Sequence, residues 1–184
     1  ANPDYLSAFL NFADLKPEHH VLEAGVGTGQ VAAAGAPLVA RYVGLDNSEE
    51  MLVQARRKLP GLELLHADLR AVPLLDRSFD RVLARSVLHH VTHGLEQVMR
   101  ELYRVLRPGG RLVVVDNVAP EEPELDRFIN ELERLRDPSH HRAHRIAEWR
   151  RFVEQAGLAF RVAHRFTTWV DREDWLSRAS TPPD

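Results

Sequence analysis

VLEAGVGTGQ, residues 21–30, places Gly25, Gly27 and Gly29 directly behind a short apolar run. A strand that empties into a glycine-rich turn and then a helix is the opening unit of an α/β domain, and its backbone can approach a ligand closely. The spacing argues against a pyrophosphate. A dinucleotide fingerprint, G-x-G-x-x-G/A, counted from Gly25 and Gly27 would end on Gln30, so the third glycine arrives one residue early. A phosphate loop ending in Gly-Lys is also missing, because Gly29 is followed by Gln-Val and the chain holds only two lysines against 22 arginines.

Working outward, apolar runs alternate with helical patterns. HVLEA (20–24) reads as a strand and GQVAAAGAPLVA (29–40) as a helix. YVGLD (42–46) is a second strand, followed by a helix over 48–58 with Ser48 as N-cap and Met51, Leu52, Ala55 and Leu59 along one face. LELLHA (62–67) and FDRVLAR (79–85) are the third and fourth strands. Leu95, Val98, Met99, Leu102, Val105 and Leu106 recur at helical spacing over 93–106, and RPGG (107–110) should stop that helix in a tight reversal. RLVVVDNV (111–118) then reads as a strand covered on both faces. An amphipathic helix is expected over 121–136, with Leu125, Phe128, Ile129, Leu132 and Leu135 as its apolar face. Another follows over 145–156, and GLAFRVAHRFTTWV (157–170) looks strand-like.

Strands alternating with helices predict a doubly wound, mostly parallel sheet with helices on both faces. Right-handed crossovers bring the C-terminal ends of such strands to one edge, where ligands bind. Three acids fall there: Glu23 in the first strand, Asp46 ending the second, Asp68 just past the third. Asp46 is placed to accept both hydroxyls of a ribose. Asp68 could accept from the amino group of a purine, with the Leu69 N–H facing a ring nitrogen, and Glu23 could serve a ligand ammonium. Each acid alone could be a cap or turn residue. Together, one strand–helix unit apart, they describe a nucleoside site.

Bulk composition bounds the function. A chain of 184 residues, 44% hydrophobic and 28% charged, suits one domain burying roughly 70% of its unfolded surface. A net charge of −3 gives no electrostatic footprint for nucleic acid. No apolar run is long enough to span a membrane, so no membrane insertion is expected. The first residues show no basic region before an apolar core, which points to the cytoplasm. Cysteine is absent, which removes thiolate nucleophiles and cysteine metal sites.

VLEAGVGTGQ, VGLDNSEEMLVQARR, HADLRAVPLLDRSFDRVLARSVLHHV and RELYRVLRPGGRLVVVD, in that order, resemble the successive motifs of class I S-adenosylmethionine-dependent methyltransferases. The similar group is the small-molecule one related to ubiquinone/menaquinone C-methyltransferases (methyltransferase type 11). The resemblance implies a Rossmann-like fold with S-adenosylmethionine as cofactor and S-adenosylhomocysteine as product. It implies that Glu23, Ala24, Gly25, Gly27, Thr28 and Gln30 surround the methionine part, with Asp46, Asn47 and Met51 at the ribose and adenine. Ala67, Asp68 and Leu69 would flank the adenine, with the Arg85 carbonyl facing its amino group. Glu23 stands where the family more often has Asp.

Methyl transfer needs alignment and a dry site, with a base where the acceptor is a poor nucleophile. His90 and His89, just past the fourth strand, are the candidate catalytic residues, with His90 also lining the cofactor site. His140, His141 and His144 in PSHHRAH invite a metal reading, but the resembling family uses none and no metal is expected. The resemblance makes residues 119–144 a lid over a small-molecule acceptor within a single domain, 1–184. Nothing after Trp169 reads as the seventh strand of the family, and an open sheet edge would allow a homodimer. The alternative to an enzyme is a cofactor-binding partner or sensor without turnover. A nucleic-acid amino methyltransferase is disfavoured, because RSVL stands where Asp/Asn-Pro-Pro-aromatic would be expected.

Overall fold

The computed structural model describes residues 3–166. Helix α1 (Pro3–Ala13) precedes β1 (His20–Ala24), α2 (Gln30–Gly35), β2 (Arg41–Asp46), α3 (Glu49–Lys58), β3 (Glu63–His66) and β4 (Phe79–Arg85). Then come α4 (Leu95–Val105), β5 (Leu106–Val115), α5 (Pro123–Arg136) and α6 (Ile146–Gln155). The strands form one sheet in the order β3-β2-β1-β4-β5, every neighbouring pair parallel. This is the doubly wound arrangement expected from the alternation of strand and helix.

Strand periodicity divides the core in two. Val21, Tyr42 and Leu83 point to one face, where they meet Phe9 and Ala13 of α1, Val31 and Ala32 of α2 and Leu52 of α3. Leu22, Ala24, Val43, Leu45, Val82 and Ala84 point to the other, against Val98, Met99 and Leu102 of α4 and Trp149 and Phe152 of α6. Each fully buried side chain of this size contributes roughly 1.5–3 kcal/mol. Arg81 is 8% exposed, and its Nε donates to the Ala13 carbonyl (2.7 Å), which ties the C-terminus of α1 to β4.

Several expectations are corrected. The helix over 29–40 stops at Gly35 and gives way to a 3-10 turn at Ala36–Leu38, because Pro37 has no N–H to continue the ladder. Helix α4 begins only after Gly94 (φ 74). RPGG does not separate helix from strand. It lies inside β5, where Phe79↔Leu106 is followed by Arg81↔Arg111, so the extra residues bulge outward. Leu112 to Val115 are half-buried rather than covered on both faces, since β5 is an edge strand among the described residues.

The apolar stripe of α5 is largely exposed. Leu125, Phe128 and Leu135 are exposed, and the residues α5 buries are Asp126 and Asn130, which meet polar groups of the following segment. Residues 157–166 form no strand. The expectation that no seventh strand follows Trp169 lies outside the described residues. No helix among the described residues is long and apolar enough to cross a membrane.

Candidate active site

The strand order reverses between β1 and β4, which start neighbouring crossovers to opposite sides. A crevice opens at such a switch point, outside the strands' C-terminal ends. One wall is the glycine turn. Gly25 (φ 73) and Gly27 (φ 52) adopt left-handed backbone, and the N–H groups of Gly25 and Val26 donate to the Leu45 carbonyl (2.8 and 3.0 Å), folding the turn across the end of β2. A Cβ on Gly25 would lie 2.3 Å from Val87 Cγ2, whereas one on Gly27 would meet no heavy atom within 4 Å. Gly25 therefore serves packing against the segment after β4, and Gly27 faces open space.

Asp46 joins this wall to α3. Its Oδ2 accepts from the Gly27 N–H (2.7 Å) and its Oδ1 from the Ser48 N–H (2.9 Å). Each oxygen keeps a lone pair for a further donor. Ser48 Oγ accepts from Met51 N (3.3 Å) and caps α3, as its position before the helix suggested. Asn47 is exposed, Met51 half-buried, and the Ala67 N–H donates to the Asp46 carbonyl (3.0 Å). The structure thus gathers Gly27, Asp46, Asn47, Met51 and Ala67 at one corner.

Other expected residues are placed less openly. The Ala24 side chain is fully buried, so only its backbone reaches the turn. Glu23 is 2% exposed and lies beneath the turn, accepting from the Tyr42 hydroxyl (2.7 Å). Burial pushes its carboxyl up to about 8, the Tyr42 hydrogen bond offsetting part of that shift. Asp68 is gripped by Arg70, whose backbone N–H and Nε donate to Oδ1 (2.8 and 2.9 Å), and these bonds hold its carboxyl below the usual range. Arg70 also reaches His93 Nε2. Ala67 and Leu69 are half-buried against the core below. Gln30 is exposed, its Oε1 facing Arg85 Nη1 (3.5 Å), and Thr28 is half-buried.

The other wall follows β4. Ser86 turns the chain with φ 51, and Leu88–His90 form a 3-10 turn. His89 is 6% exposed, and its Nδ1 pairs with Asp116 Oδ1, immediately after β5. The Asp116 side chain is 2% exposed and also accepts from the N–H groups of Leu88 (2.8 Å), His89 (3.2 Å) and Asn117 (2.8 Å). His90 Nδ1 faces the Ser139 carbonyl (3.0 Å), and its ring lies 4.0 Å from that of His89. The His140 ring lies 5.3 Å from that of His89.

Residues 137–144 are pinned over these histidines. The N–H groups of His141 and Arg142 donate to the His89 carbonyl (2.9 and 3.0 Å). Asn130 Oδ1 accepts from the Ala143 N–H (2.7 Å) and His140 Nε2 (3.1 Å), while its Nδ2 donates to the carbonyls of Asp126 (3.0 Å) and Ala143 (3.1 Å). Arg142 pairs with Asp126 (2.8 Å) and Glu148 (3.1 Å), which joins the latch to α6. Burial, with His89 adding to it, holds His140 below the ordinary imidazole value. His144 packs edge-on to Trp149 and Phe152, and His141 is exposed. Among the described residues, no three acids or histidines could hold a metal ion.

Asn130→Ala would strand the Ala143 and His140 donors in a buried site, at an expected cost of about 2–4 kcal/mol. Hydrogen exchange should then quicken across residues 123–145 before it quickens in the sheet, and an unchanged pattern would dismiss the latch. Sequence reading missed Asp116 and Asn130. Asp116 had a usable signal, since it ends a strand at the same edge as Asp46. Asn130 had none, lying mid-helix among residues that look like an apolar face.

Comparison with known proteins accords with this geometry. The family of methyltransferase domains matches residues 22–114, from β1 to the end of β5. An uncharacterized methyltransferase of Bacillus subtilis (strain 168), YcgJ, is 33% identical over 189 residues, spanning 100% of this chain and 74% of its own length. The crystal structure of YcgJ superposes with a TM-score of 0.91 over 97% of this chain and 78% of that one. The demethylmenaquinone methyltransferase of Chlorobaculum parvum is 34% identical over 112 residues, 60% of this chain and 46% of its own. The glycine turn fits the cofactor of such enzymes, since Gly27 is open and Asp46 has lone pairs to spare. With fold, edge residues and relatives in agreement, the chain belongs to the class I S-adenosylmethionine-dependent methyltransferases.

Proposed function

We propose that this enzyme methylates a small-molecule acceptor held between the histidine wall and the segment 119–144, within one domain. The observation that carries the reading is the strand-order reversal, which sets Gly27 and Asp46 at the ends of β1 and β2 and His89 and His90 just past β4. In this reading Asp46 accepts the ribose hydroxyls, and Asn47, Met51, Ala67, Asp68 and Leu69 surround the adenosine. Gly25, Gly27, Thr28 and Gln30 border the methionine part, Ala24 contributes backbone alone, and Glu23 acts from beneath the turn. Arg85 and His90 close the side toward β4.

When bound, S-adenosylmethionine supplies a methyl group activated for in-line displacement by its sulfonium. The chain aligns the partners and excludes water. Residues 119–144 suit the lid role because two anchors hold their ends. The Ala119 N–H donates to the His144 carbonyl (3.1 Å), and His141 and Arg142 bond to the His89 carbonyl. The net charge of −3 favours a small acceptor over nucleic acid.

Titration calorimetry with S-adenosylhomocysteine checks this reading. The wild type should bind, and Asp46→Asn, which keeps the size but weakens acceptance from two hydroxyls, should lower affinity by about 10–100-fold. Unchanged affinity would remove Asp46 from the ribose site. Absence of binding by the wild type would sink the cofactor reading.

A further inference from the structure

The segment over the histidine wall hangs on one imidazole. Asn130 Oδ1 accepts from the Ala143 N–H (2.7 Å), so this oxygen, and not the amide nitrogen, faces His140 Nε2 (3.1 Å). His140 Nε2 must then donate, and in the neutral ring Nδ1 is left as a bare lone pair. That Nδ1 is buried with no hydrogen-bond partner among the described residues, and His140 is 2% exposed. The next two residues carry the closure, since the N–H groups of His141 and Arg142 donate to the His89 carbonyl (2.9 and 3.0 Å). His140 cannot leave its site without pulling on them.

A neutral imidazole tolerates this placement; a protonated one does not. A second proton would make Nδ1 a charged donor with no acceptor, in a site closed to water. From α5, Glu133 faces the ring, but Arg136 holds its Oε2 (2.6 Å). From the segment itself Asp137 faces it, but Oδ1 already accepts from the Ser139 N–H and hydroxyl (2.9 and 2.6 Å). From the turn after β4, the imidazoles of His89 and His90 face it, and both oppose a further positive charge. Burial, the largest of these effects, acts in the same direction. His144 in the same segment differs, because Glu148 Oε2 stands 4.0 Å from its Nδ1 and can meet an added proton.

Resting on the lid role given to residues 119–144, we propose that residues 137–144 form a proton-operated latch, closed while His140 is neutral and released when it is protonated. Release brings the His140 ring to water, where both nitrogens find acceptors. It also gives up the two bonds to the His89 carbonyl and so lifts the segment off the wall. The released form takes up its proton at the ordinary imidazole value of 6.5, the closed form only at a lower one. Closure is therefore fully present above the ordinary value and weakens as pH falls below it. Acidification opens the latch.

Amide exchange of the ligand-free full chain, followed residue by residue by NMR, tests the latch whether or not the methyl-transfer reading holds. Protection factors divide out the intrinsic effect of pH on exchange. Those of His141, Arg142 and Ala143 should fall about 10–30-fold between about pH 7.5 and about pH 5, while those of the β1 and β2 amides should not fall. His140→Gln, whose side-chain N–H can still reach Asn130 but does not titrate, should flatten the fall to less than about 3-fold. His141→Gln, at the exposed neighbour, should keep it. Level protection in the wild type would overturn the proposal. So would a full fall in His140→Gln, or a matching fall in the β1 and β2 amides, which would mean unfolding of the whole domain.

Discussion

Glu23→Gln is expected to flatten a fall in stability that the wild-type protein shows between about pH 4.5 and about pH 8. The carboxyl is ordinary, near 4.5, in the unfolded chain and is pushed up to about 8 by burial in the folded one. Between those values the unfolded state has released the proton and the folded state keeps it. The folded state binds more protons, so its stability is fully present below the lower value and is lost as pH rises through the upper one. The slope approaches about 1.4 kcal/mol per pH unit. Glutamine keeps the acceptor for the Tyr42 hydroxyl and carries no titrating proton.

Burial lowers the values of His140 and His144, and this works in the opposite sense, costing stability as pH falls below the ordinary imidazole range. The difference between wild type and variant therefore isolates Glu23. Urea midpoints of both proteins at pH 5, 6.5 and 8 check it. Parallel profiles would mean that Glu23 is ionised in the folded state at all three.

Gly25→Ala and Gly27→Ala should separate folding from binding, though both change glycine to alanine in one turn. At Gly25 (φ +73) the new methyl would stand 2.3 Å from Val87 Cγ2 and 2.6 Å from Val87 Cβ. A branch point cannot rotate away, so the segment carrying His89 must shift. Left-handed backbone costs about 1–2 kcal/mol and overpacking about 1–3, for a loss of about 2–5 kcal/mol. At Gly27 (φ +52) nothing lies within 4 Å, and only the backbone cost applies. Its methyl would project toward the space proposed for the cofactor. Gly25→Ala should lower Tm by many degrees. Gly27→Ala should lower Tm by only a few degrees and lose S-adenosylhomocysteine affinity at least tenfold. A Gly27→Ala variant that binds as the wild type does would move the cofactor away from this turn.

Much of the framework was legible from local pattern. The continuous apolar runs of β1, β2 and β4, the Ser48 cap and the spacing of Leu95 to Val105 follow from backbone geometry within a few residues. The acids at strand ends were readable because a parallel sheet must bring its C-terminal ends together. Boundaries were less secure where local chemistry competed, as at Pro37 and in RPGG.

The α5 stripe shows where such reading stops. Leu125, Phe128 and Leu135 repeat as a core face would, yet the helix turns Asp126 and Asn130 inward. Periodicity reports that a stripe exists, not what it meets. The inward face was decided by Asn130 bonding to Ala143 and His140, and by Arg142 reaching Asp126. His89 was a candidate from position alone. Its distinction from His90 came only when β5, crossing beside β4, delivered Asp116 to its Nδ1.

The sequence by itself determined the alternating elements, the parallel sheet and the edge to which Glu23, Asp46 and Asp68 are brought. Short-range sterics and hydrophobic period suffice for those. Only the tertiary structure decided that Glu23 lies beneath the turn, that Gly25 packs while Gly27 opens, and that His89 is paired with a buried carboxylate. Those outcomes depend on side chains distant in sequence meeting at hydrogen-bond range, and such meetings are set by packing of the whole sheet.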